Sequence, residues 1–306
     1  MSFTPVRVLA ACSIVIGLSA NSHAEEHQSC KSLRVGAVTW TDVIATTSLT
    51  KALLERLGYK ADVTNASQQI IYAGIRDQRL DFFLGYWNPL MTANITPFIQ
   101  ANHIKVLEQP SLSDARATLA VPDYLYDKGL KTFADIARFK SELKGKIYGI
   151  EPGAGANAMI KAMITKNQFG LGGFQLVESS ESGMLSAVTR AVRRNEPIVF
   201  FGWAPHPMNF NYKMKYLSGS EGAMGKDEGK ATVWTVVDPA FSEKCPNVTR
   251  LLDNLRFTAD DESRMMEPLL AHEDPAKAAN RWLDSHPEDV ERWLEGVNRA
   301  DGSPVN

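Results

Sequence analysis

From residue 33 to residue 237 the chain alternates short apolar runs with segments of helical periodicity, and this alternation constrains its fold more than any other feature. Residues 33–38 read as a strand, and 42–57 as a helix with Asp42 at its N-cap and Gly58 at its C-terminal stop. Residues 67–80 look helical and 81–86 form a short buried strand. Further strands are expected at 117–121, 146–150, 175–178 and 198–201, separated by helices at 133–143, 156–166 and 184–194. After a last strand at 234–237 the pattern turns wholly helical, at 260–271, 275–284 and 288–297. Such alternation predicts a mostly parallel α/β sheet with helices on both faces. No linker-like tract interrupts the chain, and two α/β lobes joined by crossing strands fit better than one large sheet. Ligands of such sheets sit outside the carboxyl ends of the strands.

The first residues read as an export signal. Arg7 supplies the positive start, residues 8–18 (VLAACSIVIGL) are an apolar core, and Ser22-His23-Ala24 places small residues around a cleavage site. The expected mature chain begins at residue 25, in the periplasm. Leu9-Ala10-Ala11-Cys12 resembles a lipobox, but much of the apolar run lies after Cys12 and would stay in the mature chain. Two cysteines then remain, Cys30 and Cys245, and an even pair in an exported protein is most simply one disulfide, two buried thiols being the alternative. Closing so long a loop stabilises by about 5 kcal/mol in the ideal chain-entropy limit.

Composition removes several classes. A net charge of −2 with 22 % charged residues shows no basic excess for nucleic acid. Outside the first two dozen residues no apolar run approaches the roughly 18 needed to span a bilayer. No C-x-x-C or H-E-x-x-H offers a metal site, and the histidines are scattered, with His206 between two prolines reading as a structural turn residue. Asp260-Asp261-Glu262 lies at a helix start, where acidic residues favour the helix dipole. No catalytic constellation stands out: G-x-S-x-G is absent, and Gly153-x-Gly155-x-x-Ala158 alone is a weak dinucleotide signature. We expect a binding protein without metal or cofactor, not an enzyme.

Three of the six tryptophans fall at expected strand ends: Trp40 (RVGAVTWTD), Trp87 (DFFLGYWNP) and Trp203 (IVFFGWAPHP). Nearby glycines and prolines place Trp87 and Trp203 on rigid turns rather than inside strands. Trp234, Trp282 and Trp293 read as core. Several indoles at one cleft suit a quaternary ammonium group, which has no N–H to donate and spreads its charge over methyls. Each aromatic face contributes roughly 0.5–2 kcal/mol by cation–π attraction, so three faces with methyl burial approach the ~8 kcal/mol of micromolar binding. Asp42 would supply a counter-charge at the same rim, and its two oxygens allow it to cap the helix as well.

These residues carry a family resemblance. The chain resembles the periplasmic substrate-binding proteins of quaternary-amine ABC importers (the glycine betaine, carnitine and choline family), and most closely the choline-binding ones. The likeness runs over T-W-T-D at 39–42, F-L-G-Y-W-N-P at 83–89, K-I-Y-G-I-E-P-G at 146–153, V-E-S-S-E at 177–181, G-W-A-P-H-P-M-N at 202–209 and C-P-N-V at 245–248. It implies a type II two-lobed clamshell, each lobe a mixed, mostly parallel sheet flanked by helices, with lobe one at 25–113 plus 216–306 and lobe two at 114–215. It implies an aromatic box of Trp40, Trp87 and Trp203 with Asp42 facing the ammonium, a Cys30–Cys245 pairing, a monomer, and a membrane permease as partner.

Two positions depart from the choline pattern. A box tyrosine falls at Ala117, and an asparagine that helps hold the choline hydroxyl falls at Ala154. The pocket should be roomier and less fitted to a hydroxyl, with Tyr86 a substitute ring. Gly153-Ala154-Gly155-Ala156-Asn157, between a strand and a helix, can expose backbone N–H groups to a carboxylate, as carnitine or glycine betaine would present, or simply make a tight turn. The alternatives are a quaternary-amine sensor docking on a signalling receptor, and an exported α/β enzyme.

Overall fold

The structure, a computed structural model, describes residues 28–305. The expected export signal lies outside the described residues. The described residues form ten strands: β1 (Ser32–Ala37), β2 (Lys60–Asn65), β3 (Phe82–Asn88), β4 (Lys105–Val106), β5 (Leu112–Pro122), β6 (Lys146–Tyr148), β7 (Gln175–Val177), β8 (Phe200–Ala204), β9 (Met214–Tyr216) and β10 (Lys230–Val237). The helices of the first half are α1 (Thr41–Arg56), α2 (Gln68–Arg76), α3 (Thr92–Gln100), α4 (Asp123–Asp127) and α5 (Gly155–Thr165). They continue with α6 (Glu181–Arg194), α7 (Met208–Asn211), α8 (Pro239–Lys244), α9 (Pro246–Asn254), α10 (Ala259–Leu270), α11 (Pro275–Ser285) and α12 (Pro287–Trp293). The segment expected as a helix at 133–143 is a 3-10 helix, Phe133–Phe139. Among the described residues no helix is long and apolar enough to cross a membrane.

The strands follow one path, β2-β1-β3-β10-β5-β8-β6-β7, with β4 on β10 and β9 on β5. Each end of that path is parallel: β1 with β2 and β3, and β6 with β7 and β8. The middle is antiparallel, where β10 pairs with β3 on one side and β5 on the other. The architecture is therefore one mixed α/β sheet, parallel towards each end and antiparallel through β3, β10, β5 and β8, rather than mostly parallel.

The core follows this division. Leu33 and Val35 of β1 pack with the inner face of α1 and with α9 to α12 in one apolar cluster. A second cluster fills the other face of β3, the space around β5 and β8, and the buried sides of α5 and α6. Gly58 ends α1 with φ +91°, a left-handed turn that an L side chain resists. Cys30 and Cys245 form a disulfide with Cα atoms 5.6 Å apart, tying the entry to β1 to the α8–α9 junction. Trp293 is buried in the first cluster, Trp282 packs partly against it, and Trp234 is half-buried with its Nε1 donating to Thr232 Oγ1.

Candidate functional site

The four residues singled out as a binding site meet at one cavity. Trp40, Asp42, Trp87 and Trp203 all line a space of about 370 Å³, part of it open to solvent. Leu90, Met91, Ala117, Ile150, Phe201 and the start of α5 complete the lining.

Two of the indoles sit differently from expectation. Trp87 and Trp203 lie within β3 and β8, each the last residue but one, because the strands run on to the residue before the proline. Trp40 precedes α1 as its N-cap residue. Asp42 is thus not the cap. It lies in the first turn of α1, and its carboxylate is drawn across to β3, where Oδ2 accepts from Trp87 Nε1 at 2.9 Å. Its Oδ1 is buried and has no hydrogen-bond partner. Trp40 spends its own Nε1–H on Glu151 Oε1 at 2.8 Å. Both indoles therefore face the cavity with their N–H groups already committed.

On the opposite wall the register of β5 and β8 sets Ala117 beside Trp203 and Leu119 beside Phe201. Residues two apart on a strand share a face, and Phe201 stacks on Trp203 with centroids 5.5 Å apart. Phe201 therefore supplies the additional ring. Tyr86 does not line the cavity; its hydroxyl bonds Thr92 Oγ1 at 3.0 Å. Phe201 was legible in principle, since the strand period of two puts it on the side of Trp203.

The glycine segment divides. Ala154, Gly155 and Ala156 line the cavity at the N-terminus of α5, whereas Gly153 and Asn157 do not. Gly153 offers its carbonyl to Gln69 Nε2 at 2.6 Å. The Asn157 amide clasps its own loop, accepting from Ile150 N–H and donating to the Ile150 and Glu151 carbonyls and to Glu178. Gly155 is demanded by proximity: a Cβ there would stand 2.0 Å from the Leu90 carbonyl oxygen.

The electrostatics are acidic. Burial, then the nearby Glu181 charge, pushes the Asp42 carboxyl up to about 6, opposed by the Trp87 hydrogen bond and by His206. Burial likewise raises Glu151. Glu262 departs from the dipole reading: it is turned into the interior between α10 and its neighbours, 2 % exposed, and burial followed by the charges of Asp42 and Asp261 holds its carboxyl well above the usual range. Asp261 joins Thr258 in a capping box. His206 is more than a turn residue, since its buried ring contacts Glu181. Such a cavity, with apolar walls, several ring faces and one unpartnered carboxylate oxygen, suits a cation that has no hydrogen to donate.

The profile of the family described as the substrate binding domain of an ABC-type glycine betaine transport system matches residues 31–285. Among solved structures the chain is similar to an ABC-transporter choline binding protein in complex with choline, at 44 % identity and a TM-score of 0.88, over 91 % of this chain and 96 % of that one. It is also similar to a choline binding protein in an unliganded semi-closed conformation, at 45 % identity and TM-score 0.81, over 90 % of this chain and 96 % of that one. A glycine betaine/carnitine transport binding protein of Listeria monocytogenes serotype 1/2a (strain 10403S) is 31 % identical over 159 residues, 52 % of this chain and 52 % of that protein.

Proposed function

The chain belongs to the family of substrate-binding domains of ABC-type glycine betaine transport systems, and from that premise we propose that Trp40, Asp42, Trp87 and Trp203 capture a quaternary ammonium compound between two lobes, for delivery to a membrane permease. The family's members are solute-binding components, and this chain is read likewise as a monomeric, periplasmic binding protein rather than an enzyme. One observation carries the site: Asp42, which lines the same cavity as three indoles, keeps its Oδ1 buried without a donor. An unpartnered buried carboxylate is costly by itself, and a cation held by the rings offsets that cost without forming a hydrogen bond.

The lobes on this reading are residues 25–113 with 216–306, and 114–215, hinged at the β5–β10 crossing. The ligand is one that carries a carboxylate as well. With alanine at 117 and 154 nothing along those walls reads a hydroxyl, whereas the first-turn amides of α5 have no acceptor within the helix and suit an anion. Gly155 and Ala156 are the residues of that turn that reach the cavity. Calorimetric titration of ligand-stripped protein with choline, glycine betaine, carnitine and ethanolamine tests this. Carnitine or glycine betaine should bind tightest. Choline tightest would refute the carboxylate end, and no binding of any methylated cation by folded protein would refute the site.

A further inference from the structure

Helix α1 starts without a cap of its own. Its N-cap residue is Trp40, which has no side-chain oxygen, yet the helix begins buried. Buried N–H groups at a helix start need acceptors. The acceptor comes from far along the chain, at the first residue of α6: Thr41 N–H donates to Glu181 Oε2 at 2.9 Å, and the Thr41 hydroxyl donates to Oε1. Glu181 is 5 % exposed, and behind it stands His206, 1 % exposed. The Met208 N–H donates to His206 Nδ1 at 2.9 Å, which leaves the ring proton on Nε2, 3.1 Å from Glu181 Oε1. The carboxylate is thus held by His206 on its own side and spends its remaining capacity on α1.

We propose that Glu181 is a positioning residue for ligand capture: it caps α1 across the cleft, and this bond latches the two halves together around the site. The proposal rests on the two-lobed reading above, in which Thr41 and Glu181 belong to different lobes and part when the β5–β10 crossing flexes. Thr41 is the neighbour of both Trp40 and Asp42, so forming the cap sets the start of α1, and with it one wall of the box. Two further bonds span the same gap, Trp40 to Glu151 and Gln69 to the Gly153 carbonyl. Closing also brings the Glu181 charge, itself near that of Glu151, towards Asp42, and among the described residues none of the three is ion-paired with a lysine or arginine. Like charges oppose closure of an empty cleft. A cation beside Asp42 relieves that opposition, so the latch engages when the site is filled.

Stopped-flow dissociation and small-angle scattering decide the matter, using whichever of choline, glycine betaine and carnitine the wild type holds best. Glu181→Ala should speed dissociation about tenfold or more, as loss of a buried helix cap implies, with association nearly unchanged and ligand-induced compaction reduced. Glu181→Gln, whose amide oxygen still accepts from Thr41, should recover most of the slow dissociation. Thr41→Val keeps the side-chain volume and removes only the hydroxyl bond, and should speed dissociation about threefold. Unchanged dissociation in both folded Glu181→Ala and Thr41→Val overturns the latch while leaving the ligand reading intact. If wild type holds none of the three ligands, the functional reading fails first, and the latch falls with it.

Discussion

Replacing Asp42 with asparagine should move stability and binding in opposite directions. The amide keeps the shape of the carboxylate and an oxygen for the Trp87 N–H, and removes only the charge. In the closed cleft that charge is held in a buried site with one oxygen unpartnered, and its pKa rises from 3.8 to about 6. The difference corresponds to about 3 kcal/mol that the folded state gives up at neutral pH to keep Asp42 ionised. The sign follows from linkage. A carboxyl whose folded pKa is raised favours folding most below its unfolded pKa, and this contribution is lost as pH rises through about 6. Ligand-free Asp42→Asn should therefore be more stable than wild type at pH 7.5, by up to about 3 kcal/mol, the limit set by the closed cleft, with the gain vanishing at pH 3.5. Its affinity for a quaternary ammonium should fall about 100-fold, the loss expected when a desolvated counter-charge is removed. Urea denaturation at the two pH values and calorimetric titration at pH 7.5 measure both quantities. A variant that is less stable and binds unchanged would refute the reasoning and return Asp42 to a purely structural role in the first turn of α1.

Three further outcomes follow from the same geometry. Cation affinity should be constant above pH 7 and fall by up to about tenfold per pH unit below 6, as Asp42, which faces Glu181, Glu262 and His206, takes up its proton; a flat profile to pH 4.5 in titration calorimetry would remove Asp42 from the site. Gly155→Ala places a methyl on the Leu90 carbonyl, a backbone atom that cannot swing aside, so it should cost at least about tenfold in affinity while thermal unfolding of the empty protein shifts little; equal affinity would mean the two segments do not meet in the bound form. Ala117→Tyr sets a ring beside Trp203 and should strengthen choline binding by about 0.5–2 kcal/mol relative to carnitine, read by competitive titration; a uniform loss for both would show that the space at Ala117 is needed by either ligand.

Much of this molecule was readable from local rules. The strand–helix alternation led to the sheet, Gly58 to the end of α1, and the three indoles with Asp42 to one cavity. What local rules missed has a common physical cause. An aspartate ahead of an apolar run reads as a cap, but the Trp87 indole, 45 residues away, competes for that carboxylate and wins. Glu151 and Glu181 reach Trp40 and Thr41 across 111 and 140 residues, separations at which no spacing pattern survives. Glu262 shares a first turn with Asp260 and Asp261, and only the packing of α10 against α1 sends it inward. Phe201 is different, because strand period alone places it beside Trp203.

The indole N–H groups committed to Asp42 and Glu151 have one more consequence. The cavity they line is walled by ring faces and apolar side chains, with Asp42 its one charged lining residue, so an ion must surrender its water and receive little that is polar in return. A primary ammonium arrives with three N–H donors, finds one acceptor, and leaves two unsatisfied at about 1–3 kcal/mol each. Small inorganic cations, whose hydration shells are bound more tightly still, are worse placed. On the proposed reading the pocket sorts cations by how little they mind being dry, and this would separate methylated ions from the far more abundant salts in the surrounding fluid.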